Sequence, residues 1–187
     1  NQLGPDRDFY RFEVKGPEKK ILWARLTRVP GINLMIEIRD EKNQKIHMED
    51  AAPDGKDETI ANLTIAPGTY YFVVGERWLN TTFLSDLKHP YTLTYRLSPI
   101  TPGQELEPND DRKTAGSLTA GQPVSGYLHA PGDADFYVLD FGNRKLRIDF
   151  SGIAETPILL AFWNAQDKTP LQKFHVPADG KLTLRRL

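Results

Sequence analysis

Apolar and polar residues alternate along most of this chain with a period of two. Phe9–Val14 reads Phe-Tyr-Arg-Phe-Glu-Val, and Ile21–Leu26 reads Ile-Leu-Trp-Ala-Arg-Leu. Asn33–Ile38, Thr69–Val74 and Tyr91–Leu97 continue the pattern. Side chains two apart on an extended chain share one face, so each run presents one apolar face and one wet face. The runs are rich in β-branched and aromatic residues, which suit a pleated, half-buried surface. Turn formers separate them: Val29-Pro30-Gly31, Ala52-Pro53-Asp54-Gly55 and Ala66-Pro67-Gly68.

The second half behaves alike. Strands are expected at Val124–Leu128, Asp135–Phe141, Lys145–Phe150, Ile158–Trp163 and Lys181–Leu184. Helical periodicity is nearly absent, and the one candidate is a single turn over Ala115–Ala120. Many short strands with Pro/Gly turns predict an all-β protein of antiparallel, jelly-roll-like β-sandwiches.

The chain also repeats itself. Pro5-Asp6-Arg7-Asp8-Phe9-Tyr10-Arg11-Phe12 aligns with Gly132-Asp133-Ala134-Asp135-Phe136-Tyr137-Val138-Leu139. Ile21–Leu26 aligns with Leu146–Phe150, and Leu34–Ile38 with Leu159–Trp163. The expected organisation is a sandwich module over 1–99, a linker over 100–103 and a second module over 104–187. The copies are cut at different places: the first lacks a leading segment, and the second reaches Leu187 before any counterpart of the Ala66–Tyr71 hairpin. A sandwich without its closing strands exposes unpaired backbone, so the missing strands are either lost with the fragment or supplied by a partner chain.

Composition narrows the function classes. The chain has 187 residues with 24 basic and 25 acidic side chains and a net charge of −1, which offers no footprint for nucleic acid or an anionic membrane. No run approaches the roughly 20 apolar residues of a membrane-spanning helix. Cysteine is absent, which removes disulfides, thiolate metal sites and cysteine nucleophiles together. The chain begins at Asn1 and reads as a mature or excised fragment, so no leader indicates location. Asn62-Leu63-Thr64 and Asn80-Thr81-Thr82 match glycosylation acceptors, a short motif expected to occur by chance.

Signals for catalysis are weak. His47, His89, His129 and His175 fall in four separate turn or strand-end contexts with no close pair. There is no His-Glu-x-x-His run, no Gly-x-Ser-x-Gly elbow and no glycine-rich phosphate loop. The chain is expected not to be an enzyme; a hydrolase assembled only in space is the remote alternative.

An acidic set is the strongest chemical signal: Glu105, Glu107, Asn109, Asp110, Asp133 and Asp135, with Asp111 beside them. Alternation within Asp133-Ala134-Asp135 points both carboxylates to one side of an extended chain. If the leading segment lies beside that turn, several oxygens converge. Calcium takes about six to eight oxygen ligands, and a divalent cation relieves repulsion among gathered carboxylates. The competing reading is a solvated turn whose Asp and Asn side chains cap nearby amides. Asp6 and Asp8 have no comparable leading partner.

Two aromatics, Trp78 and Phe83, sit in the long connection from Glu76 to Pro90, and are candidate contacts for a sugar or peptide ligand. The alternative is that this loop folds back over the core. Trp23 and Trp163 occupy comparable strand positions and are expected in the core.

Glu107-Pro108-Asn109-Asp110, then Ala115, Leu118, Gly121, Val124 and Gly126, then Gly132-Asp133-Ala134-Asp135-Phe136-Tyr137, together resemble the bacterial pre-peptidase C-terminal domain. The likeness is close over 105–141 and rests on strand pattern alone over 142–187. In the first copy it covers Asp6–Phe12 and the Ala66–Tyr71 hairpin. The resemblance implies a jelly-roll-like sandwich, generally non-catalytic, found beside secreted peptidases and in large surface proteins. It implies roles in adhesion, substrate binding or assisting secretion, and calcium near the acidic start, as in related collagen-binding modules. The expectation is therefore an extracellular, periplasmic or cell-surface accessory module, calcium-stabilised, that binds protein or polysaccharide. The alternative is a purely structural spacer.

Overall fold

A computed structural model describes residues 6–50, 52, 55–77, 84–129, 132–142, 145–164 and 166–185. The protein is all-β, and no helix occurs among the described residues. By internal contacts the chain divides into Asn1–Leu139 (unit 1) and Asp140–Leu187 (unit 2). The sequence reading places the divide earlier, at 100–103.

Unit 1 contains two main sheets. One has the order β1 (Arg7–Val14), β6 (Gly68–Glu76), β3 (Leu34–Asp40) and β4 (Lys45–Glu49). The other has the order β5 (Glu58–Ile65), β2 (Lys20–Leu26) and β7 (Leu93–Pro99). Every pairing within them is antiparallel. The period-two pattern supplies the core. On β2, Leu22, Ala24 and Leu26 are fully buried. On β3 and β6, Ile36, Ile38, Phe72 and Val74 are buried, and Phe12, Val14, Ile60, Leu63 and Ile65 complete one cluster. Burying one such aliphatic or aromatic side chain stabilises by about 1.5–3 kcal/mol.

Trp23 lies between Leu22 and Ala24, so alternation turns it away from that core. It is half-buried, with the Arg96 guanidinium 4.5 Å from its ring centroid. Trp163 follows the end of β11 (Ile158–Phe162) and is 39% exposed. Both correct the expectation that these tryptophans are core residues.

Two short strands complete unit 1: β8 (Gly116–Ser117) and β9 (Tyr137–Val138), paired in parallel. The expected helical turn over 115–120 is therefore strand and turn. The expected strand at 124–128 reduces to one bridge, Gln104 with Ser125. The expected strand at 135–141 shrinks to β9. Glycines at 116, 121 and 126 and Pro123 interrupt this stretch, which a continuous ladder tolerates poorly. The aligned segments 5–12 and 132–139 thus differ in pairing: β1 runs eight residues along β6, whereas β9 runs two along β8.

Unit 2 holds β10 (Arg147–Ser151), β11, β12 (Gln172–Val176) and β13 (Lys181–Arg185). β10 pairs with β13 and β11 with β12, both antiparallel. Three strands, β4, β5 and β12, had no expectation in the sequence. Their polar residues blur the alternation, and neighbouring strands recruit them.

Candidate metal centre

Residues 105–107 of unit 1 lie along the outer edge of β5. Leu63 and Glu107 form a parallel bridge, with Thr64 N–H donating to the Glu107 carbonyl at 2.8 Å. This extends the chain at Glu105-Leu106-Glu107-Pro108-Asn109. Alternation then sends Glu105, Glu107 and Asn109 inward, at 1%, 5% and 0% exposure. Leu106, Pro108 and Asp110 face outward. Phe136 N–H donates to the Asn109 carbonyl at 2.9 Å, which brings the Asp133–Asp135 turn alongside.

Glu105 is the most completely held of the group. Its Oε2 accepts from Asn62 Nδ2 and from Tyr127 N–H, each at 2.8 Å. Its Oε1 accepts from Asn109 Nδ2 at 3.1 Å and from the Tyr137 hydroxyl at 2.8 Å. Burial, and then the Glu105 carboxylate, push the Tyr137 hydroxyl well above its ordinary value.

The other acids are half satisfied. Glu107 Oε2 accepts from Asn109 N–H at 2.9 Å, and Asp133 Oδ2 from His129 N–H at 2.8 Å. Four buried oxygens have no hydrogen-bond partner: Glu107 Oε1, Asn109 Oδ1, Asp133 Oδ1 and Asp135 Oδ1. Such atoms each cost about 1–3 kcal/mol if left unmatched. Two sets of ligand atoms fall within 4.8 Å of one another: Glu107, His129 and Asp133; and Glu105, Glu107 and Asp135. Glu107 belongs to both. His129 Nδ1 lies 3.0 Å from Asp133 Oδ2 and 3.8 Å from Glu107 Oε1.

Electrostatics concentrates at the same place. Burial raises the Glu107 carboxyl, opposed by the Asn109 amide. Asp135 is pushed up to about 8, first by burial and then by the Glu105 and Asp133 charges. A basic side chain that lies against these acids is the His129 imidazole. The arrangement gathers buried carboxyl groups whose charges repel one another unless protons or a cation offset them.

Of the sequence candidates, Glu105, Glu107, Asn109, Asp133 and Asp135 come together. Asp110 is exposed and belongs to neither set. Asp111 makes a turn of its own, its Oδ1 accepting from Lys113 N–H at 2.6 Å and Thr114 N–H at 3.0 Å. In the first copy, Asp8 accepts from the Tyr91 hydroxyl. Trp78 and Phe83 lie outside the described residues.

Sequence reasoning passed over His129, Asn62 and Tyr137. His129 stands four residues before Asp133, and that spacing was the available signal. The histidines also do form a close pair: the His47 and His129 rings are 6.4 Å apart, joined by folding alone. Asn62 is 2% exposed and hydrogen-bonded, so its glycosylation motif sits in a buried strand.

A second feature of unit 1 is an aromatic groove between the edge strands β1 and β7. It encloses about 360 Å³ and is lined by Tyr10, Arg11, Phe12, Phe72, Tyr91 and Tyr95. Tyr95 is 45% exposed and leans on Phe12 and Phe72, with ring centroids 5.4 and 5.3 Å away.

No protein-family model matches the chain, and no curated protein matches it.

Proposed function

We propose that the chain is a non-catalytic, calcium-stabilised β-sandwich accessory module of an extracellular, periplasmic or surface protein, of the pre-peptidase C-terminal type. The observation that carries this reading is the set of four unpartnered buried oxygens on Glu107, Asn109, Asp133 and Asp135. These four oxygens, three of them from carboxylates, suit a hard cation with flexible coordination, and His129 Nδ1 lies beside them. Glu107, Asn109, Asp133 and Asp135 would hold the ion. Glu105, whose oxygens already accept two hydrogen bonds each, would brace the site. Calcium bound there would supply positive charge, and these residues would tie the Asp133–Asp135 turn to the Glu105–Asn109 segment that lies on β5. A site of this kind serves outside the cytosol, where calcium is abundant.

The module's role is to present a binding surface for protein or polysaccharide. The Tyr10–Tyr95 groove supports this, because tyrosines pair an apolar face for stacking with a hydroxyl for hydrogen bonding.

Thermal melting tests the calcium reading directly. Saturating calcium at about 100 times its dissociation constant adds about 2.7 kcal/mol. The melting temperature rises with millimolar calcium and falls with chelator, and Asp133→Asn with Asp135→Asn removes the response. Identical melting with and without calcium defeats the proposal. Glycan and peptide screening with Tyr95→Ala tests the binding role; a module that binds nothing but calcium is a spacer.

A further inference from the structure

Unit 2 repeats part of the topology of unit 1. The pair β10–β13 corresponds to β2–β5, and the hairpin β11–β12 corresponds to β3–β4. An isolated antiparallel bridge marks the same point in each unit, Val29 with Ile32 before β3 and Ile153 with Thr156 before β11. Counting from these bridges, Ala24 and Leu26 correspond to Ile148 and Phe150, and Met35, Ile36 and Ile38 to Leu159, Leu160 and Phe162.

The difference lies at the second edge of each strand. In unit 1, β2 also pairs with β7, and β3 also pairs with β6. Among the described residues, β10 pairs only with β13 and β11 only with β12. Burial differs accordingly. Ala24, Leu26, Ile36 and Ile38 are at 0% exposure, whereas Ile148, Leu160 and Phe162 are only half-buried and Leu159 is 51% exposed.

We propose that the free edges of β10 and β11 form an acceptor site for one strand pair with the chemistry of β6–β7: the closing strands of the same repeat. In unit 1 these strands read Gly-Thr-Tyr-Tyr-Phe-Val-Val-Gly-Glu and Leu-Thr-Tyr-Arg-Leu-Ser-Pro. One strand joins each sheet, so a single two-strand segment completes both backbone ladders and covers the apolar faces together. Backbone pairing supplies affinity, and the alternating aromatic and aliphatic side chains set the register. This inference is independent of the calcium reading, which concerns unit 1.

The test appends a second copy of residues 65–99 after Leu187 of the full chain. Hydrogen exchange of the β10 and β11 amides is followed with and without calcium. The expected result is slowing by at least about tenfold in both strands. A control carries proline at the appended positions equivalent to Phe72 and Tyr95, which blocks pairing without altering unit 2. Equal exchange in the unmodified, appended and control chains overturns the proposal. Slow exchange already present in the unmodified chain, accompanied by concentration-dependent dimerisation, also overturns it and makes a second copy the occupant. A lost calcium response with intact protection would defeat the calcium reading alone.

Discussion

Gly126 lies against the Glu105 carboxylate so closely that a Cβ built on it would stand 2.6 Å from both carboxylate oxygens. The next residue, Tyr127, donates its backbone N–H to Glu105 Oε2 at 2.8 Å. A side chain at 126 and a correctly seated Glu105 therefore exclude each other. Gly126→Ala is expected to cost about 1–3 kcal/mol, because its Cβ would force the buried Glu105 carboxylate from its place. Urea denaturation would report the loss, and the calcium-induced rise in melting temperature should shrink with it. Wild-type stability and calcium response in this variant would show that Glu105 does not organise the site.

Asn62 joins β5 to the acidic segment through a single side-chain hydrogen bond to Glu105. Asn62→Ala leaves a buried carboxylate oxygen with one donor fewer. A loss of about 1–3 kcal/mol is expected, measured by chemical denaturation. Asn62→Asp should cost more, because it adds a further negative charge to the cluster. Expression in a glycosylating host should leave residue 62 unmodified in the folded protein, checked by mass spectrometry.

Asp135 is expected to make the protein less stable as pH rises from about 4 to about 8. Its folded pKa, about 8, lies above its ordinary value of 3.8, so the folded state holds this proton more tightly than the unfolded state does. Stability from this group is fully present below about pH 4 and is lost as pH rises towards about 8. Calcium, which prefers the ionised carboxylate, should reverse the trend and stabilise most at the alkaline end. Melting curves across this range, with and without chelator, check both signs. Asp135→Asn should flatten the metal-free slope; an unchanged slope would place its origin elsewhere.

Arg96 on β7 covers the outward face of Trp23 on β2 at 4.5 Å. Arg96→Ala is expected to cost about 0.5–1 kcal/mol and to expose the indole, shifting its emission to longer wavelength. Leu22→Ala, on the opposite face of the same strand, should cost about 2–5 kcal/mol because Leu22 is fully buried. Comparable losses from the two changes would contradict the inward–outward division of β2.

The apolar alternation carried the fold class and the strands β1, β2, β3, β6 and β7 of unit 1, but not the inward set at 105, 107 and 109. Those strands follow from a local rule, that side chains two apart share a face. The pairing of Asp133 and Asp135 with that set was legible as a condition, once the leading segment was placed beside their turn. Comparable strand positions predict Trp23 and Trp163 in the core, but alternation along β2 turns Trp23 outward and Trp163 follows the end of β11.

Composition and periodicity therefore determined an all-β chain whose acids cluster around one turn. Only the tertiary structure decided that the acidic segment lies on β5 and that Asn62, Tyr137 and His129 join it. Those choices depend on contacts between residues tens of positions apart. Backbone hydrogen bonds carry no record in the sequence of which strand they will meet.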